Sequence, residues 1–111
     1  MGKKGVVWGM KVLERAITPN GVKIQIEDWS EDYSFHRFAD VVAAYPITIY
    51  GKKEFRAEQQ FKNATEASDA FYSLKNGEKN LDDFNFTAKS IGKDVPYKQY
   101  IPLSERYFER W

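Results

Sequence analysis

Pro19-Asn20-Gly21 followed by Val22-Lys23-Ile24-Gln25-Ile26-Glu27 constrains this chain more than any other stretch. Asn and Gly tolerate the positive φ of a tight hairpin connection, and alternation at a period of two marks a half-buried strand. Val22, Ile24 and Ile26 therefore share a core face, while Lys23, Gln25 and Glu27 are expected to point into water on the other. Met10–Thr18, with its aliphatic and β-branched residues, supplies the partner strand. A two-stranded hairpin is marginal alone, so more strands or a helix must cover its apolar face.

Gly51-Lys52-Lys53 reads as a second turn, between a strand expected at 41–50 and another over 54–62. In the former, Val41, Ala43, Tyr45, Ile47 and Ile49 alternate with Val42, Ala44, Pro46, Thr48 and Tyr50. Pro46 cannot donate to a ladder, which calls for an edge position or a bend. The same region also suits a helix capped by Ser30, with Phe35, Phe38, Val42 and Tyr45 on one face. The reading favoured is an irregular or briefly helical 28–40 followed by a strand. Along 54–62, Phe55, Ala57 and Phe61 face inward with Gln59 as the polar exception, and Glu54, Arg56, Glu58, Gln60 and Lys62 face out.

The clearest helix follows. Asn63 is placed as its N-cap, with Glu66 three residues on in a capping-box arrangement. Ala67, Ala70, Phe71 and Leu74 form its apolar stripe, and Asn76-Gly77 suits a left-handed C-cap. A short turn is expected in Asn80–Phe84, a loop over Thr87–Gly92, and a strand at Val95–Ile101 interrupted by Pro96. Ser104 would cap a last helix, with Leu103 and Phe108 as its hydrophobic staple. The expected class is α+β: an antiparallel sheet of four to five strands joined by hairpins, one main helix at about 64–76 packed on one face, and a short aromatic C-terminal helix. Residues 1–111 form a single small globular domain, in which 1–9 is the part open to flexibility.

Composition narrows the function classes. Hydrophobic residues are 42% and charged residues 30%, and the formal charge is +1, which excludes a polycation built for non-specific DNA binding. With no cysteine there are no disulfides, thiol nucleophiles or Cys-based metal sites. No run of roughly 18 apolar residues suggests a membrane span, and no apolar leader follows the basic first residues, so a cytoplasmic protein is expected. Charge is nevertheless blocked: residues 1–25 carry a net +4 and residues 26–40 a net −4.

The acidic block brings Glu27, Asp28, Glu31, Asp32 and the single histidine, His36, within ten residues. Carboxylates and imidazole can hold a divalent cation or move protons, so Glu27, Asp28, Asp32 and His36 define a metal-assisted hydrolase as the least favoured reading. The spacing fits neither an EF-hand loop nor an HExxH helix, and a solvated acidic loop explains it better. There is no nucleophile elbow, no Gly-rich phosphate loop and no P-loop. No catalytic residue, metal or cofactor is therefore assigned.

Aromatics are the unusual component, with Phe, Trp and Tyr making 16% of the chain. Trp8, Tyr50, Tyr97 and Tyr100 lie beside lysines, which makes a single-stranded nucleic-acid-binding module the second reading. The outward rows of the secure strands hold no aromatic and mixed charge, which does not favour it. The first reading is a small non-enzymatic accessory protein that acts through protein–protein interaction, with a protein partner or a second copy of itself. Its expected contact residues are Trp29, Glu31, Asp32, Tyr33 and Phe35, with Tyr107 and Trp111 from the tail. Tyr and Trp bury large area at low entropic cost, and carboxylates set orientation and association rate.

Overall fold

The computed structural model of the chain describes residues 10–30, 40–47, 54–90 and 93–100. The first two strands, β1 (Lys11–Ile17) and β2 (Lys23–Asp28), form the hairpin set by the Pro-Asn-Gly turn. Gly21 takes φ +89°, and the turn is closed by Gly21 N–H to Thr18 O at 2.8 Å and Thr18 N–H to Val22 O at 2.9 Å. A bulge between Val12 and Glu14 interrupts the β1–β2 register. β3 (Asp40–Tyr45) pairs antiparallel with β2, and β4 (Ala57–Phe61) pairs with β3. Pro46 ends β3 as its missing N–H requires, and an isolated bridge between Ile47 and Glu54 follows.

Helix α1 (Ala64–Lys75) comes next. Asn63 caps it by accepting from Glu66 N–H at 2.8 Å. Only that half of the expected capping box is formed there. The reciprocal box is found beyond the helix, where Asn80 accepts from Asp82 N–H and Asp83 accepts from Asn80 N–H, both at 2.9 Å, to start the 3-10 turn Leu81–Asp83. The helix ends at Asn76, and Gly77 follows with φ +79°. A Cβ on Gly77 would stand 2.9 Å from Pro19 Cγ, so glycine also lets the helix end close on the β1–β2 turn.

Two short strands complete the sheet: β5 (Thr87–Ser90), which joins β4 at the Glu58–Thr87 pair, and β6 (Lys93–Pro96). The sheet is six-stranded and antiparallel, with order β1-β2-β3-β4-β5-β6. Thr87–Ser90 is thus strand rather than the expected loop, and the strand expected from Val95 starts at Lys93 and gives way to a 3-10 turn at Tyr97–Gln99. The class is α+β with one main helix, as expected, and the strand count is one above the upper estimate. The C-terminal helix expected from Ser104 and residues 31–39 lie outside the described residues.

The core lies between α1 and one face of the sheet. Ala67, Ala70, Phe71 and Leu74 meet Ile24, Ile26, Val42, Ala44, Ala57 and Phe61, with Leu81 and Phe86 closing the end. Fully burying a side chain of this kind stabilises by about 1.5–3 kcal/mol. Phe84 stands edge-on to both Phe61 and Phe86, with centroids 6.5 and 6.0 Å apart. Tyr97 packs on this cluster and Tyr100 stacks on Phe55 at 4.4 Å. Those two tail aromatics therefore serve the core.

Candidate functional site

The face of the sheet turned away from α1 was expected to be an ordinary wet surface, and at its centre it is not. Val41 and Ala43 of β3 are buried there without belonging to the helix-side cluster. Glu27 has 0% exposure and Gln25 is buried beside it, which overturns the expectation that both point into water. The alternation placed them on the correct face, but it cannot report what else lies on that face.

Glu27 is held by four donors. Arg56 Nη1 and Nη2 reach its two oxygens at 2.8 and 2.7 Å, Trp29 Nε1 donates at 2.9 Å and Gln25 Nε2 at 2.5 Å. Burial pushes the Glu27 carboxyl up, but the Arg56, Gln25 and Trp29 donors outweigh it and hold it below the ordinary carboxylate range. Burial would lower the Arg56 guanidinium, yet Glu27 and then Glu58 raise it above its usual value. Arg56 also donates from Nε to Glu58 at 3.0 Å and from Nη1 to the Tyr45 hydroxyl at 3.1 Å. Arg15 Nε extends the network to β1 by donating to Gln25 Oε1 at 3.2 Å. One polar chain thus crosses the sheet from β1 to β4.

The register explains how Arg56 reaches Glu27 across an intervening strand. Gln25 pairs with Ala43, and Ala43 with Glu58, so a methyl group is the β3 side chain in that row. Glu27 lies one row to one side of Ala43, paired with Val41, and Arg56 just precedes β4 on the other, so the two side chains meet diagonally over that methyl group. The charges of Glu27 and Arg56 are legible in the sequence, but the spanning contact requires the strand order as well.

At the β1 side of the same face the chemistry changes. Tyr72 O–H and Lys75 Nζ from α1 reach Glu14 at 2.5 and 3.1 Å, so Glu14 faces the helix, as does Ala16, which pairs with the core residue Ile24. Arg15 and Ile17, opposite Gln25 and Lys23, therefore face away, and Ile17 is 63% exposed; Leu13, 57% exposed, is the extra residue of the bulge. Ile17 pairs with Lys23 and Lys23 with Tyr45, one row across three strands. Ile47, 60% exposed, follows Tyr45 by one alternation, and the Lys23–Glu54 ion pair at 3.2 Å lies between the two isoleucines. A hollow of about 340 Å³ opens here, lined by Arg15, Ile17, Lys23, Gln25 and Tyr45 together with Ala16 and Ile24.

Of the expected contact residues, Trp29 alone is described: it is half-buried at the end of β2, with its indole N–H given to Glu27. Glu31, Asp32, Tyr33, Phe35, Tyr107 and Trp111 lie outside the described residues, as does His36. For the metal reading, the lone pairs of Glu27 are taken by protein donors, and Asp28 accepts from Ser30 N–H at 2.9 Å. Asp28 faces Asp40 across the ladder, and burial together with the Asp28 charge raises the Asp40 carboxyl. Among the described residues no three His, Asp or Glu side chains group as a metal site. The sequence does not single out Ile17 and Ile47, because a row that mixes them with Lys and Arg carries no clear period. Comparison of the chain with models of protein families, with curated proteins and with solved structures finds no match. Among the described residues no helix is long and apolar enough to cross a membrane.

Proposed function

We propose that this chain is a small accessory binding protein that acts through protein–protein interaction. The observation that carries the reading is the pair Ile17 and Ile47, each about 60% exposed and both on the sheet face opposite α1. Singly exposed apolar residues are ordinary, but two on one side of one face, beside a hollow, have the makeup of an interface centre with a polar rim. Arg15, Lys23 and Glu54 supply that rim. A binding rather than a catalytic role is supported by Glu27, whose oxygens are spent on Arg56, Gln25 and Trp29. Trp29, Glu31, Asp32, Tyr33, Phe35, Tyr107 and Trp111 remain in the proposal as a second contact region. A cytoplasmic location belongs to the same reading and accords with a chain free of cysteine.

The test is purification of the tagged chain from the cells that make it, followed by light scattering on the eluted species. A stoichiometric protein companion, or a second copy, that is lost in an Ile17→Asp, Ile47→Asp variant of unchanged melting is the expected result. An isolated monomer, or a companion that is nucleic acid, would contradict it.

A further inference from the structure

We infer that the hollow at Arg15 receives an aspartate or glutamate side chain of a partner protein, its carboxylate held by the Arg15 guanidinium, with apolar partner residues laid over Ile17 and Ile47. The inference rests on the protein-binding reading above and names the chemistry by which the partner is recognised.

The polar chain across the sheet ends at Arg15, and each link fixes the next. The Glu27 carboxylate, fully buried and ionised, can only accept, so the Gln25 amide turns its Nε2 to Glu27. That leaves Gln25 Oε1 for Arg15, whose Nε donates to it at 3.2 Å. The guanidinium is thus held from behind through Nε, and its terminal Nη1 and Nη2 have no acceptor among the described residues. Arg15 and Ile17 lie past the bulge, in unbroken register opposite Gln25 and Lys23.

The hollow is lined by the cations Arg15 and Lys23 and by no carboxylate. Lys23 is matched by Glu54 at 3.2 Å, which leaves the Arg15 charge uncompensated. Tyr45, also on the lining, accepts from Arg56 Nη1 at 3.1 Å and keeps its own O–H to give. One guanidinium with a hydroxyl donor beside it matches one carboxylate, which Arg takes bidentately. A phosphoryl group carries up to about twice the charge and is met by clusters of Arg.

The surroundings decide between a free carboxylate and one carried by a protein. A small ligand in a site built for it has about 70–90% of its surface covered, whereas this hollow lies open on the outer face of a sheet. Ile17 and Ile47 beside it are exposed, and only a body larger than the hollow covers them in the same contact. That cover also takes water from the Arg15 pair, which strengthens a contact worth little when exposed. Charge complementarity and the flanking isoleucines therefore select an acidic residue set among apolar ones on a protein surface.

The experiment is selection of a displayed library of random linear dodecapeptides on the full chain. The winning peptide, made with both ends blocked, is then titrated against wild type and Arg15→Met. The expected winners carry Asp or Glu beside apolar residues and shift the side-chain resonances of Arg15, Tyr45 and Ile17. Exchange of that acid for its amide weakens binding to wild type about tenfold, and Arg15→Met binds the two forms alike. Tyr45→Phe, which keeps the ring, gives a smaller loss of about threefold. The acid-to-amide exchange on wild type stands on its own should Arg15→Met disturb folding. No enrichment, winners without an acid, equal binding of the acid and amide forms, or discrimination that persists in Arg15→Met would each overturn the inference. A homodimer lost in Arg15→Met would overturn it too, by making a second copy the occupant. Peptides that bind away from Arg15 would overturn it while leaving the protein-binding reading intact; failure of that reading would show instead as a chain that purifies without any protein companion.

Discussion

Beneath α1 the sheet is closed by Phe71, Leu74, Ile24 and Val42, all close to fully buried and all apolar. On the opposite side of the same strands, Glu27 is equally buried but is a carboxylate that needs four donors from three residues. The two faces therefore fail differently. Removing atoms from the helix side leaves a cavity, whose cost is limited by how far the neighbours relax. Removing Arg56 leaves a charge in a place from which water is excluded. The first face makes the fold stable, and the second ties Arg15, Gln25, Tyr45 and Glu58 into one orientation beside the exposed Ile17.

The largest effect is expected from Arg56→Met, which should cost about 3–5 kcal/mol in urea denaturation by stranding Glu27. The double variant Arg56→Met, Glu27→Leu should recover most of that loss, because neither charge remains buried. If the single variant were near neutral, the polar chain would be decoration and the contrast between the faces would collapse. Phe71→Ala should cost a similar amount, about 3–5 kcal/mol, through the cavity it opens. The two faces also separate by pH. The Glu27 carboxyl is held below its ordinary value in the folded chain, so the stability it contributes is present above the unfolded carboxylate pKa of about 4.3 and is lost as pH falls through the lower folded value. Stability of Phe71→Ala should therefore keep the wild-type acid slope, whereas Glu27→Gln should flatten it, and denaturation followed between neutral and acid pH checks both.

Smaller changes sharpen the comparison. Asn63→Ala removes the oxygen that accepts Glu66 N–H and should cost about 1 kcal/mol, felt only on the helix side. Ile17→Asp, at an exposed position, should alter stability by no more than about 0.5 kcal/mol. A large loss there would show that Ile17 is covered in solution and belongs to the core.

Local signals account for what the sequence reveals. The Pro19-Asn20-Gly21 turn, the Asn63 cap, the Ala67–Leu74 stripe and the Gly77 stop each depend on residues a few positions apart, and each forms as expected. The expected strand over 54–62 also keeps its faces, with Gln59 on the inner row accepting from Asn85 N–H at 2.8 Å. β5 escapes notice because Thr87, Lys89 and Ser90 surround a single buried apolar residue, Ala88. The Arg56–Glu27 pair spans 29 positions and a whole strand, so it follows only from the strand order and the small side chain of Ala43. The sequence offers Trp29 as a contact residue, but the reason for its place, an indole N–H given to Glu27, follows only from the fold.

The central claim is that the chain works by binding another protein along the β1 side of its sheet. Backbone hydrogen exchange, measured on the chain alone and with its purified partner, tests it most directly. The account predicts that amides within Lys11–Ile17 gain protection in the complex, while those of α1 and β6 stay as they are. Unchanged exchange in β1, with new protection elsewhere or none, would contradict it.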